Sequence, residues 1–246
     1  MNETLNMDSR GSGDTPVLFL HSFAGDCTHW SAVLEALAPR RRVVAFDFSG
    51  HGLSPAARGK YSIRRLAQDV VAVANAQHLE HFVLVGHSLG ALVAAEFAAA
   101  APQRVKKLIL VDPPLVPGAL SAEAQRQVRE SLAVDPYATV EQFWNQQPFA
   151  GARPETQRRL LSSLRKLARN AAIELTEDSL SYDARIALRQ YHGPKFAIVT
   201  LANDTPQSLQ HALPDIEYSV VEGTGHWIHL DRSTEFIAVL DRLLRR

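Results

Sequence analysis

The chain has 246 residues, with 26 Lys plus Arg against 26 Asp plus Glu, 46% apolar residues and one cysteine. That length suits one sizeable domain, with or without an insertion, and the balanced charge argues against nucleic acid or an anionic membrane as the main partner. The lone Cys27 excludes an intramolecular disulfide and gives no sign of an oxidising compartment.

Met1 to Pro16 is polar and lacks the apolar centre of a signal peptide, and no apolar run elsewhere approaches a membrane span, so a cytoplasmic location is expected. From Val17 onward short apolar runs alternate with helical patterns, the signature of β-α-β units around a mainly parallel sheet. Val17 to Leu20 reads as a buried strand. Trp30, Val33, Leu34 and Leu37 follow at helical spacing until Pro39. Arg40, Arg41 and Arg42 are a solvated connection to a second strand, Val43 to Phe46. Ser62 caps a helix whose inner face is Ile63, Leu66, Val70 and Val73. Phe82 to Val85 is a third strand, and Leu89 to Ala101, apolar or small nearly all round, is a buried helix stopped by Pro102. Leu108 to Val111 is a fourth.

The rhythm changes there. Between Pro113 and His192 only helical patterns are found, including a capping box at Thr139 with Gln142 and a stripe of Leu160, Leu161, Leu164 and Leu167. This stretch is longer than an ordinary crossover and is expected to be a helical insertion over residues 113–192, leaving 1–112 and 193–246 as the core. Strand patterns resume at Phe196 to Val199 and Tyr218 to Val221. A closing helix carries Phe236, Val239, Leu240 and Leu243 on one face.

Gly86-His87-Ser88-Leu89-Gly90 lies between a strand and a buried helix. In that setting a G-x-S-x-G string describes a sharp turn that lifts the serine hydroxyl clear of the sheet at the positive end of the helix. Ser88 is therefore the expected nucleophile. Any one of the ten histidines alone reads as structural, but Gly225-His226-Trp227 lies between a strand and a helix, where an imidazole can take the serine proton and return it to a leaving group. His229 is assigned to local packing or to the surface.

These residues, in this order, resemble the α/β-hydrolase superfamily, specifically its small members with a helical cap after the sixth strand. The likeness runs from Val17 to the C-terminus and rests on five landmarks: His21-Ser22-Phe23-Ala24-Gly25, Asp47 to Ser54, the Ser88 turn, Asp204 and Gly225-His226. It implies an oxyanion hole made by the backbone N–H groups of Phe23 and Leu89, with Ser22 standing where glycine is common. The Asp47 to Ser54 turn, with Gly50 and Gly52, is given an architectural role and His51 no catalytic one. Two acids are open for orienting His226. Asp204 matches the family's usual site and is favoured, although Leu201 replaces a common glycine, while Asp112 ends the strand before the insertion, where some members place the acid.

The expected fold is a mainly parallel α/β sheet with helices on both faces, a helical cap and an abbreviated antiparallel start. The resemblance implies acyl transfer from a small ester or lactone to water, with no metal or organic cofactor, a small-molecule substrate and a monomer or small homo-oligomer. Phe143, Trp144 and Phe149 are candidates for the cap side of the pocket, and the same residues could instead hold the cap on the core. The same fold also carries carbon–carbon bond hydrolases, perhydrolase-like haloperoxidases, cofactor-free oxygenases or lyases and slow-turnover small-ligand receptors.

Overall fold

The structure is a computed structural model that describes residues 4–118, 121–146 and 148–246. Its strands follow from the short apolar runs. Val17–Leu20 (β2), Val43–Phe46 (β3) and Phe82–His87 (β4) are buried at every position, as suits strands covered on both faces. Val105–Val111 (β5), Lys195–Thr200 (β6) and Ile216–Val221 (β7) complete the parallel part. Met7–Arg10 (β1) pairs antiparallel with β3, giving a sheet in the order β1-β3-β2-β4-β5-β6-β7. The sequence hides this edge strand because Asp8 and Arg10, which pair at 2.6 Å, give it no apolar signal.

Successive strand residues feed opposite cores. Val17 and Phe19 join Ser31–Leu37 (α1) and the closing helix, while Leu18 and Leu20 join Ile63–Ala76 (α2) and Leu89–Ala100 (α3). Ser62 caps α2 as expected, its hydroxyl accepting from Arg65 N.

Among the described residues, five helices lie between β5 and β6: Ala122–Val134 (α4), Pro136–Gln146 (α5), Pro154–Leu164 (α6), Arg169–Ser181 (α7) and Ala184–Gln190 (α8). No strand occurs there among the described residues. Thr139 is not a cap. It lies inside α5, whose start is held by Asp135 Oδ1 accepting from Tyr137 and Ala138 N–H, because Pro136 suits the first helical turn. The leucine stripe behaves as expected, with Leu160, Leu164 and Leu167 buried. Leu209–Ala212 (α9), Ile228–Asp231 (α10) and Ser233–Arg245 (α11) complete the chain, α11 burying Phe236, Leu240 and Leu243. No helix among the described residues is long and apolar enough to cross a membrane.

Polar bonds fasten α6 and α7 to the core. Asp231 Oδ1 accepts from Arg153 N and Thr156 Oγ1 at the start of α6. From α7, Glu174 accepts Tyr61 N–H at 2.6 Å and Asp178 accepts Ile63 N–H at 2.7 Å, so a carboxylate of one helix satisfies the N-terminus of another. Asp178→Ala should lower the unfolding free energy by about 1 kcal/mol, read as a lower urea midpoint at unchanged slope. An unchanged midpoint would mean that Ser62 alone suffices to cap α2.

Candidate active site

Ser88 sits at the β4–α3 junction with φ 54° and ψ −117°, a backbone region costly for any residue but glycine. The surroundings enforce it. Ser88 N–H donates to Val111 O at 2.9 Å. A Cβ at Gly86 would lie 2.2 Å from Gly90 O, and one at Gly90 would lie 2.6 Å from both Leu20 O and His21 O. Only glycines let the strand, the helix and the β2 end approach so closely. The serine side chain does not cap α3, and its half-buried hydroxyl has no hydrogen bond to another described residue.

The loop after β2 is held through a peptide carbonyl. Phe48 N–H donates to His21 Nε2 at 3.0 Å, which puts the His21 proton on Nδ1, and that N–H donates to Ser22 O at 2.8 Å. Gly25 N–H donates to the same oxygen at 2.9 Å. In a planar trans peptide the oxygen and the next N–H point in opposite directions, so pinning Ser22 O aims the N–H of Phe23. Burial lowers the His21 pKa and favours the neutral ring this relay needs. The N–H groups of Phe23 and Leu89 are not taken up by other described residues. Trp227 Nε1 donates to Ser22 Oγ at 3.2 Å. Asp47 supports the neighbouring turn as expected, accepting N–H groups from Cys27 at 2.6 Å and Leu53 at 2.8 Å. Cys27 is buried, and desolvation, with Asp47 beside it, pushes its thiol pKa up.

His226 follows β7, and its Nδ1 donates to Asp112 Oδ2 at 2.6 Å. This corrects the expectation for Asp204. Asp204 lies on the far side of the turn after β6, where its Oδ1 pairs with His211 Nε2 at 2.6 Å in a partly exposed contact. Asp112 prevails because β5 ends beside the His226 loop and the residue kinks there, with φ 40°. Its other oxygen, Oδ1, accepts from Thr200 N at 2.8 Å, Thr200 Oγ1 at 3.0 Å and Asn203 Nδ2 at 3.2 Å. The turn that carries Asp204 thus supplies donors that hold Asp112. Leu201, in the same turn, points largely into solvent.

Sequence reasoning missed His87, the residue before Ser88, whose Nε2–H donates to His226 O at 2.9 Å and fixes the loop that carries His226. Nothing in the motif announces that role. Of the three aromatic residues expected at the pocket, Phe143 is 52% exposed, whereas Trp144 and Phe149 are buried against Trp227, with ring centroids 5.5 and 5.4 Å away.

Residues 15–233 match the family model described as alpha/beta hydrolase fold. The chain belongs to this family. The dihydrolipoyllysine-residue acetyltransferase component of the acetoin cleaving system of Pseudomonas putida is 39% identical over 101 residues, which are 41% of this chain and 27% of that protein. The match therefore spans well under half of that relative's length. The pimeloyl-[acyl-carrier protein] methyl ester esterase of Pectobacterium carotovorum is 30% identical over 194 residues, covering 76% of this chain and 74% of that enzyme. A thermophilic esterase from Thermogutta terrifontis superposes with a TM-score of 0.84 at 23% identity, over 98% of this chain and 93% of that one, a likeness of fold.

Buried imidazoles surround the site. Burial pushes His29 and His51 down to about 3 from an ordinary 6.5, and also lowers His87 and His229, whose neighbouring rings add to the effect. The native protein keeps these rings neutral while the unfolded chain takes up protons below pH 6.5 or so, so unfolding binds protons in that window. Their contribution to stability is complete above about pH 6.5 and is lost progressively as the pH falls toward the native values. The Tm should drop between pH 7 and 5, and His51→Asn should flatten that slope. A Tm constant across this range would contradict the burial argument.

Proposed function

We propose that Ser88, His226 and Asp112 act as the catalytic triad of a hydrolase that cleaves a small carboxylic ester or lactone through an acyl-enzyme. The observation that carries this reading is the 2.6 Å contact of His226 Nδ1 with the Asp112 carboxylate. It commits one imidazole nitrogen to the acid and leaves Nε2 as the base for a hydroxyl presented at a strained turn. Ser88 Oγ attacks the carbonyl carbon and its proton passes to His226 Nε2, which gives it to the departing alcohol. Water then attacks the acyl-enzyme, losing a proton to His226, and the acid is released as Ser88 regains its proton. The Phe23 and Leu89 N–H groups are the proposed donors to the oxyanion, Leu89 at the positive end of α3. Residues 113–192 are proposed as the cap over this site, and the substrate as a small molecule; the esterase among the relatives supports the ester class.

Asp112→Asn tests the acid. An amide whose oxygen stays with Thr200 and Asn203 turns its NH2 toward His226, which then places its proton on Nε2 and can no longer accept one from Ser88. Turnover of p-nitrophenyl acyl esters should fall at least about a hundredfold, against about 10⁴ in the serine-protease template, while Asp204→Asn should change it little. The reverse ranking would return the role to Asp204. A fluorophosphonate probe should label the protein once, at Ser88, and Ser88→Ala should abolish both labelling and turnover. Turnover surviving in Ser88→Ala would remove the serine-hydrolase reading altogether.

A further inference from the structure

Ser22 departs from the glycine common at its position in the resemblance, and its hydroxyl is not idle. It is 2% exposed and takes the Trp227 Nε1 proton at 3.2 Å; an indole N–H can only donate, so Ser22 Oγ is the acceptor. Trp227, 1% exposed, follows His226 directly. Its ring meets that of His226 edge-on, at 5.0 Å and 80°, and packs on Trp144 and Phe149 from the helical segment between β5 and β6. One side chain therefore touches the base, the cap segment and the oxyanion loop. The loops it joins follow β2 and β7, which are separated in the sheet by β4, β5 and β6.

We propose that Trp227 is a positioning residue that, through its bond to Ser22, holds the oxyanion loop in register with His226 and with the aromatic pair Trp144 and Phe149. This rests on the serine-hydrolase reading above. His21 and Gly25 orient the Ser22 carbonyl, but both belong to the same loop and cannot fix its distance from the base. The Ser22–Trp227 bond makes that cross-sheet connection. An oxyanion donor must sit 2.7–3.1 Å from the developing charge while the base holds the nucleophile's proton, so a slip between the two loops weakens transition-state binding without weakening substrate binding.

The test is a double-mutant cycle of Ser22→Ala and Trp227→Phe, with kcat, KM, Tm and the preference for an oxygen ester over the matching thionoester as readouts. Each single variant and the double variant should lose about tenfold in kcat, less than the 10²–10³ expected for deleting an oxyanion donor, with KM held and the oxygen-ester preference reduced. Stability should follow another pattern. Ser22→Ala leaves a buried indole N–H unpaired and lowers Tm, and adding Trp227→Phe removes that donor and restores part of the loss. A kcat that recovers with Tm in the double variant, additive losses, or an effect on KM alone would overturn the positioning role. Wild-type protein that neither turns over esters nor reacts at Ser88 would remove the hydrolase reading and this inference together. A wild-type enzyme that turns over and labels normally beside unimpaired variants would overturn this inference only.

Discussion

The hydrogen bond from Ser88 N–H to Val111 O joins the ends of two parallel strands and decides where the chemistry can be. β4 and β5 run in register through Gly86 with Leu110 and His87 with Val111, so residues 88 and 112 leave the sheet side by side. Both turn into the left-handed region, at φ 54° and 40°, without being glycine. Asp112 N–H continues the ladder to Ile198 O, and its carboxylate is held by donors from the end of β6. The site thus lies beyond the carboxyl ends of the strands, as expected of an open α/β sheet. Strain at the two kinks is sustained because the ladder, the close glycines and the bound carboxylate leave neither residue another conformation.

The parts of this arrangement written in local pattern were legible in the sequence. The six parallel strands announce themselves as short apolar runs, and Ser88 and His226 stand in motifs whose flanking elements can be recognised. Which carboxylate meets His226 was not legible, because Asp112 and Asp204 both follow strands and both look like turn formers. What separates them is the donors each carboxylate meets, Thr200 and Asn203 for one and His211 for the other, and these contacts exist only after the chain has turned. Edge strand β1 was invisible for the opposite reason, since it buries too little to need apolar residues. Whether Trp144 and Phe149 face a pocket or hold segments together was likewise left open by composition, and the contact that bears on it, their packing on Trp227, depends on which neighbour fills the space.

Around the site, buried charge is managed in two ways. The Asp26 carboxylate is kept ionised by its partners. Burial alone would raise the pKa of Asp26, but His29, Thr28 and Ser163 outweigh it and hold the group at about 2. Asp69 accepts from Ser49 N and Oγ and from Arg65. Imidazoles are kept neutral by desolvation, and each then offers one donor and one acceptor, as His21 does between Phe48 N and Ser22 O. A single fixed tautomer transmits orientation from one loop to the next, which a cation donating from both nitrogens could not do.

Cys27 gives this chemistry an internal control. Desolvation and the nearby Asp47 suppress the thiolate, and the sulfur lies inside the folded protein, so thiol reagents have neither access nor a nucleophile while the native state persists. Alkylation of Cys27 therefore clocks the opening of the fold, and, on the proposed role of Ser88, phosphonylation there reports on the competence of the site. One sample carrying both labels can tell an inactive variant that is intact from one that has simply come apart.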